Sequence, residues 1–454
     1  MTLSASPWPA GPPRRPLVGN LPEFARDVLG FLSECARRYG DVVPLKLGAW
    51  PVLLVNRADL AEQVLAVRYR SFHKHSFFFR HVTAIFGNGL LTSEGDFWLR
   101  QRRLAQPAFH RDRVAGYAAA MVDLAERHCQ SWQDGERRDA HRDMMALTLH
   151  IVVRTLFGAD VDEQVAGEVG RAFDVIVEEI ARRFRRPFRI PDAVPTPGNV
   201  RYNRGVRRLD RLVFALIDER RRAGQERSDL LSLLLRARDE DGTRMTDRQL
   251  RDEVVTLFLA GHETTALTLS WSFYLLSRHP EKLRALEREL ADVLAGRPPS
   301  IADLPRLPYT EAVVHESLRL FPPAYVLGRE AIEAGEIDGY GVPAGTTVFV
   351  APWILHRDPR YFDAPGEFRP ERWLDGLQNR LPRGAYLPFG GGPRLCIGQS
   401  FAQMEASLLL ASVARRFRLS LDPDRTVKPF PSITLRPWGG VPVTVTRVPG
   451  RPPG

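Results

Sequence analysis

The 454-residue chain is poor in cysteine, with only Cys35, Cys129 and Cys396, all far apart. That scarcity excludes a disulfide framework and a cysteine-rich zinc module, both of which need several sulfurs at short spacing. No apolar run approaches the roughly 20 residues a membrane helix requires, and residues 1–17 are Pro-rich without the apolar centre of a secretory signal. These absences lead to the expectation of a cytoplasmic protein with no membrane anchor. Zinc-finger spacing and other nucleic-acid recognition motifs are also missing. The net charge of +10 comes mostly from arginine scattered through helical stretches, so no nucleic-acid partner is expected. A solvated basic surface is the simplest reading, and an acidic partner would also suit it. Finally, no linker divides the chain. Its length alone would allow two or three domains, yet with 44% hydrophobic residues it can bury one large core, and a single domain over 1–454 is expected.

The pattern is mainly helical with a small β region. Helical spacing covers 22–39 and 58–68, with a hairpin between them from Val42–Leu47 and Pro51–Val55. Further helical stretches run from Gly95, from His110 to Leu156, from Asp160 to Arg186, and from Arg201 to Arg222. Residues 331–351 alternate as short strands, and Ser432–Pro437 reads as a hairpin. The longest helix is placed from Asp247 to Ser277, opened by the capping-box pattern Thr246-Asp-Arg-Gln249 and closed by Pro280. At 1.5 Å per residue it spans on the order of 45 Å. In its middle, Ala260-Gly-His-Glu-Thr-Thr265 breaks an otherwise apolar stretch. Gly261 weakens a helix, and a carboxylate and hydroxyl inside a core helix suggest chemistry. A threonine bonded back to the carbonyl four residues earlier is the plainer alternative. His262 is expected to face away and pack.

The second notable stretch is Phe389-Gly-Gly-Gly-Pro-Arg-Leu-Cys396-Ile-Gly398. Consecutive glycines let the backbone turn tightly and aim N–H groups at an anion, and the helix that follows presents its positive end to a thiolate. Taken alone, such a turn also suits an inert buried thiol or a nucleophile awaiting a histidine base. The spacing narrows this. Phe389, Gly392, Arg394, Cys396 and Gly398 fill every fixed position of Phe-x-x-Gly-x-Arg-x-Cys-x-Gly, and here the chain resembles the haem-thiolate monooxygenases, the cytochrome P450 family. The resemblance implies a haem b whose iron is bound by Cys396, with Phe389 shielding the sulfur and Arg394 on a propionate.

Other segments match the same family in order, from about Pro16 to Val448. Trp98 and Arg102, four apart on one helix face, resemble its second propionate clamp, and Arg329 a further propionate ligand; Arg100 points to the opposite side, open to solvent or a partner. The Ala260–Thr265 stretch resembles the oxygen-activation motif. It implies that Ala260 and Gly261 leave room beside the iron, that Thr264 hydrogen-bonds the oxygen being activated, and that Glu263 relays protons from solvent. Glu316, Arg319 and Arg372 resemble a structural network that holds the cysteine loop. Phe77, Phe78, Phe79, Ala260, Ala324, Val326, Leu327 and Ile433 fall where the family lines its substrate pocket. The implied reaction inserts one atom of O₂ into an apolar small molecule, by hydroxylation or epoxidation. The chain carries no flavin or cluster segment, so a separate ferredoxin or flavodoxin, served by an NAD(P)H-dependent reductase, would supply electrons. A peroxide-driven peroxygenase would be expected to lack the Glu263–Thr264 pair, and a haem sensor or carrier would have no need of it.

Overall fold

The structure is a computed structural model that describes residues 8–74, 86–158, 191–223 and 229–448 almost throughout, with isolated positions between 167 and 182. The expected helix from Asp160 to Arg186 lies largely outside the described residues, as do Phe77, Phe78 and Phe79. The fold is mainly helical with small sheets. It divides into two compact units, residues 1–81 with 315–396 and residues 82–314 with 397–454.

The first unit is built on a five-stranded sheet in the order Val42–Leu47, Trp50–Val55, Thr347–Val350, Leu327–Ala331 and Phe72–His73. The hairpin is where the sequence places it, with Val42 opposite Val55 and Leu47 opposite Trp50. Thr347–Val350 then pairs in parallel with Val52–Val55. Both sheet faces are covered, which explains the continuous apolar runs Val42–Leu45 and Val52–Val55 in place of alternation. Val43, Leu45, Leu47, Val52 and Leu54 pack with Leu32, Cys35 and Phe349. Val42, Leu53 and Val55 face the opposite way, toward Leu60, Ala61, Val64 and Leu65. The expected helix at 22–39 is in fact two, Leu21–Arg26 and Val28–Tyr39. Asp27 leaves the helical conformation (φ −152°) and its carboxylate accepts from Gly30 N at 3.0 Å, so it caps the second helix instead of continuing the first.

The second unit is organised around the Asp247–Arg278 helix, whose N-terminus is closed by the reciprocal bonds of Thr246 and Gln249. Ala140–Phe157, Pro197–Ala223 and Gln399–Ala414 pack against it. Four of its hydroxyls, on Thr264, Thr268, Ser270 and Ser272, bond to carbonyls four residues back, which lets polar side chains sit in a core helix with their donors satisfied. The expected helical stretch from His110 to Leu156 is broken into Arg111–Gly116, Ala118–Gln130 and Ala140–Phe157. The break between Gln130 and Ala140 follows from Gly135 (φ 78°) and the strand Arg137–Asp139, which pairs with Pro442–Arg447. The C-terminal hairpin pairs Pro429–Pro431 with Leu435–Pro437, and Trp271 Nε1 donates to Leu435 O at 3.0 Å, fixing the hairpin to the central helix.

Candidate functional site

In the first unit the cysteine loop is a tight turn closed by Cys396 N donating to Phe389 O at 3.0 Å. Gly390 and Gly392 take positive φ values, 77° and 66°. Gly392 is required for a second reason, since a Cβ there would stand 2.0 Å from Leu65 O. The Leu65 carbonyl lies in a widened turn, Gln63–Val67, in which Arg68 N reaches Gln63 O five residues back at 2.8 Å. Here the expected helix at 58–68 departs from α geometry, at the point where it meets the cysteine loop.

Burial separates the three cysteines. Cys35 and Cys129 are buried, and burial pushes each thiol up to about 12; Cys396 is exposed. Of the three cysteine sulfurs it is therefore the exposed one. Among the described residues no group of three or more His, Cys, Asp or Glu could hold a metal ion. A lone exposed thiol is itself a donor that a haem would take.

The same unit contains a buried ion network. Arg319 is fully buried and all five of its N–H donors are used: Nε and Nη2 on Glu316 (both 2.8 Å), Nη1 on His356 O and Pro365 O (both 2.7 Å), and Nη2 again on Glu367 O at 2.9 Å. Glu316 also accepts from Arg369 N at 2.9 Å, Arg372 Nε at 3.1 Å and Trp373 Nε1 at 2.8 Å. The route onward to the loop is His356, which the sequence reading missed. Its Nε2 accepts from Leu387 N at 2.8 Å, which leaves the proton on Nδ1 to bond Arg319 O at 3.2 Å. Burial, with Arg319 beside it, holds the imidazole down to about 3, so it stays neutral. Arg329 is buried on Leu327–Ala331, with Nη1 on Gly328 O at 2.9 Å. Val326 and Leu327 pack in part against the two apolar layers of the sheet, and Ala324 is half-buried.

In the second unit, Ala260 is exposed and Gly261 and Thr264 are half-buried on a helix otherwise almost wholly buried. The side chains open here are small, because His262 and Glu263 are turned inward and buried. Thr264 Oγ1 donates to Ala260 O at 2.6 Å. Glu263 is 5% exposed and accepts at Oε1 from Thr434 Oγ1 (2.7 Å) and Arg436 Nε (2.6 Å). Its carboxylate is thus closed in by the C-terminal hairpin, with Ile433 in the connecting turn. The sequence signal for this contact is that Thr434 and Arg436, two apart at one strand end, share a face. His262 packs away from the open stretch, Nε2 donating to Met145 O (3.1 Å), and burial holds it down to about 4. His141, held down to about 4 by burial and then by Arg436, meets Ser270 Oγ at 3.1 Å.

Trp98 is buried and Arg102 half-buried on the Gly95–Ala105 helix. Arg100 is not available as expected: Nε donates to Asp239 Oδ2 and Nη2 to Thr243 Oγ1, both at 2.7 Å. Beyond the end of this helix an open cleft of about 570 Å³ is lined by Arg103, Gln106, Pro107, His110, Asp112 and Arg113. Two further acids are buried. Glu253 accepts from Leu90 N (3.1 Å) beside Asp252, which accepts from Asn88 N (2.9 Å), and burial raises Glu253 to about 8. Glu405 on Gln399–Ala414 is likewise raised to about 8 by burial.

The exposed Cys396 thiol in its glycine turn and, in the other unit, the helix opened at Ala260–Thr264 are two features expected of a haem-thiolate oxygenase. The cytochrome P450 family profile matches residues 9–439, and the chain belongs to that family. It is 39% identical over 422 residues to cyclooctatin synthase of Streptomyces melanosporofaciens, covering 92% of each chain. It is 37% identical over 420 residues to pentalenene oxygenase of Streptomyces avermitilis, covering 92% of this chain and 93% of that one. The crystal structure of the cytochrome P450DA heme domain superposes with a TM-score of 0.87 at 27% identity over 98% of both chains. The protein is a haem-dependent P450 monooxygenase, and no helix among the described residues is long and apolar enough to cross a membrane.

Proposed function

We propose that this monooxygenase oxidises a terpene hydrocarbon or a sparsely hydroxylated terpene, working as one catalytic domain. The observation that carries the substrate class is the near full-length similarity to cyclooctatin synthase and pentalenene oxygenase. In this reading Cys396 holds haem b as its thiolate ligand, and Arg394, Arg102, Arg329 and Trp98 hold the propionates, with Phe389 beside the sulfur. When bound, the haem supplies the redox chemistry that activates O₂ and transfers one of its atoms to the substrate.

The protein's own part is positioning and proton delivery. Ala260 and Gly261 leave room on the central helix for the reacting carbon. Thr264 Oγ1 turns from the Ala260 carbonyl to hold a proton toward the reacting oxygen, and Glu263 replenishes that proton. The second transfer requires Glu263 to loosen from Arg436 and Thr434, so the hairpin controls the acid. Ala324, Val326, Leu327 and Ile433 border the substrate, an apolar lining that orients a hydrocarbon by shape.

Electrons come from a separate ferredoxin or flavodoxin, reduced by an NAD(P)H-dependent enzyme. The cleft at Arg103, His110 and Arg113, with the single acid Asp112, suits an acidic donor.

The test has two parts. Reduced protein with carbon monoxide should give the red-shifted absorption band of a thiolate-bound haem, and Cys396→His should abolish it while haem stays bound. Terpene hydrocarbons should then shift the ferric spectrum toward high spin at micromolar concentration. An unshifted carbon monoxide band in folded wild-type protein refutes the ligand assignment; a spectrum indifferent to terpenes but responsive to another apolar class refutes the substrate.

A further inference from the structure

The turn preceding the first sheet presents apolar side chains to solvent from a rigid support. Arg15 and Gly19 exchange backbone hydrogen bonds at 3.1 and 2.9 Å, closing a loop of Pro16, Leu17 and Val18. Leu17 at its tip adopts φ 64°, a conformation in which glycine or asparagine is usual. It is 93% exposed, the most exposed large apolar residue among those described, and Val18 beside it is 40% exposed. Trp50 continues the patch at 41% exposure. Its ring lies 3.7 Å from where a Cβ on Gly48 would stand, and Gly48 N donates to Val18 O at 3.0 Å.

The loop is not a fraying end. Asn20, almost fully buried, donates to Pro13 O and accepts from Lys46 N, and its own N–H donates to Lys46 O. Gly19 is pressed so closely on the strand that a Cβ would stand 2.2 Å from Lys46 O. The chain thus spends several buried hydrogen bonds to hold a strained leucine out in water.

Around the apolar tip are the exposed cations Arg14, Arg15 and Lys46, with the acid Glu23 paired to Arg15 at 2.7 Å. A protruding tip of leucine, valine and tryptophan with a net basic rim is the chemistry that inserts shallowly at the interface of an anionic bilayer. A protein partner would have to supply a matching hollow for a knob only three side chains wide, whereas lipid yields to its shape.

We propose that residues 14–18, Lys46 and Trp50 form a peripheral docking point on anionic phospholipid membranes. Docking would set the enzyme on the phase in which a water-insoluble hydrocarbon collects. That benefit rests on the substrate reading above, but the docking itself does not.

The experiment is flotation of the haem-loaded protein with vesicles, either phosphatidylcholine alone or phosphatidylcholine with phosphatidylglycerol. Wild type should bind the anionic vesicles about tenfold more tightly than the neutral ones, and high salt should weaken it. Leu17→Asp, which the left-handed backbone tolerates well, should lower binding about tenfold with the carbon monoxide spectrum unchanged. Brominated lipid should quench tryptophan fluorescence in wild type, and Trp50→Phe should remove that quenching. Equal binding by wild type and Leu17→Asp, or no binding to either vesicle, overturns the proposal. Leu17-dependent self-association without vesicle binding also overturns it and assigns the tip to a second copy of the chain. Failure of terpenes to bind leaves the vesicle result intact, so the two readings fail separately.

Discussion

Removing the Glu316 carboxylate is the sharpest test of how the cysteine loop is held. Arg319 is fully buried, and two of its five N–H donors end on Glu316, which also satisfies Arg369 N, Arg372 Nε and Trp373 Nε1. Glu316→Ala would leave a buried guanidinium without its counter-ion and five donors short of an acceptor. Breaking a buried pair in this way costs about 3–5 kcal/mol, a large share of the roughly 5–15 kcal/mol that keeps a domain folded. Glu316→Gln should cost nearly as much, because its amide N–H₂ would face donors. With a urea slope of about 3 kcal/mol per molar, the unfolding midpoint should fall by about 1 M or more. The control is Arg369–Asp363, a pair of the same 2.8 Å length whose aspartate is 88% exposed. There Asp363→Asn should cost less than about 1 kcal/mol. Urea titrations followed by fluorescence and by the carbon monoxide band would compare them. If Glu316→Ala moves the midpoint no more than Asp363→Asn, the network does not hold the loop and the burial argument is wrong.

Stability should depend on pH on both sides. His356, His141 and His262 are held at about 3, 4 and 4 against 6.5 for a free histidine, so the unfolded chain takes up more protons and stability falls as pH drops below about 6.5. Glu253 and Glu405 are raised to about 8 from 4.5, so the folded state holds more protons and stability falls as pH rises toward 8. Two protons held only by the folded state set the slope above about pH 6.5, and Glu253→Gln should halve it in urea titrations. A slope unchanged by that substitution would place the titrating group elsewhere. Thr264→Ala should keep haem and substrate binding but divert electrons to hydrogen peroxide, read as product formed per NAD(P)H consumed; unchanged coupling would move the proton donor elsewhere. Arg103→Glu should slow reduction by an acidic ferredoxin severalfold at low salt, with the difference vanishing as ionic strength rises. An effect indifferent to salt would show that charge does not guide docking.

The local features legible in the sequence are those fixed by local chemistry. The capping box at Thr246–Gln249, the hairpin at Val42–Val55 and the glycine turn before Cys396 depend on backbone conformations that a few adjacent residues impose, and they stand where the pattern puts them. Family membership was equally legible, because spaced motifs such as Phe389–Gly398 and Ala260–Thr265 keep their order along the chain. Tertiary structure decided what needs a partner distant in sequence. Arg100 faces outward by helix geometry, yet Asp239, far along the chain, takes it out of solution. Glu263 is enclosed by Arg436 and Thr434, and His356 becomes the link to Leu387 only because Arg319 folds against it. The turn at Leu17 read merely as a proline-rich lead-in. Its exposure, its positive φ and its bonds to Lys46 arise only once the strand is laid beside it. Sequence spacing fixes which face of an element a residue occupies, but burial and charge pairing are set by what packs there, and a single chain read in order does not contain that neighbour.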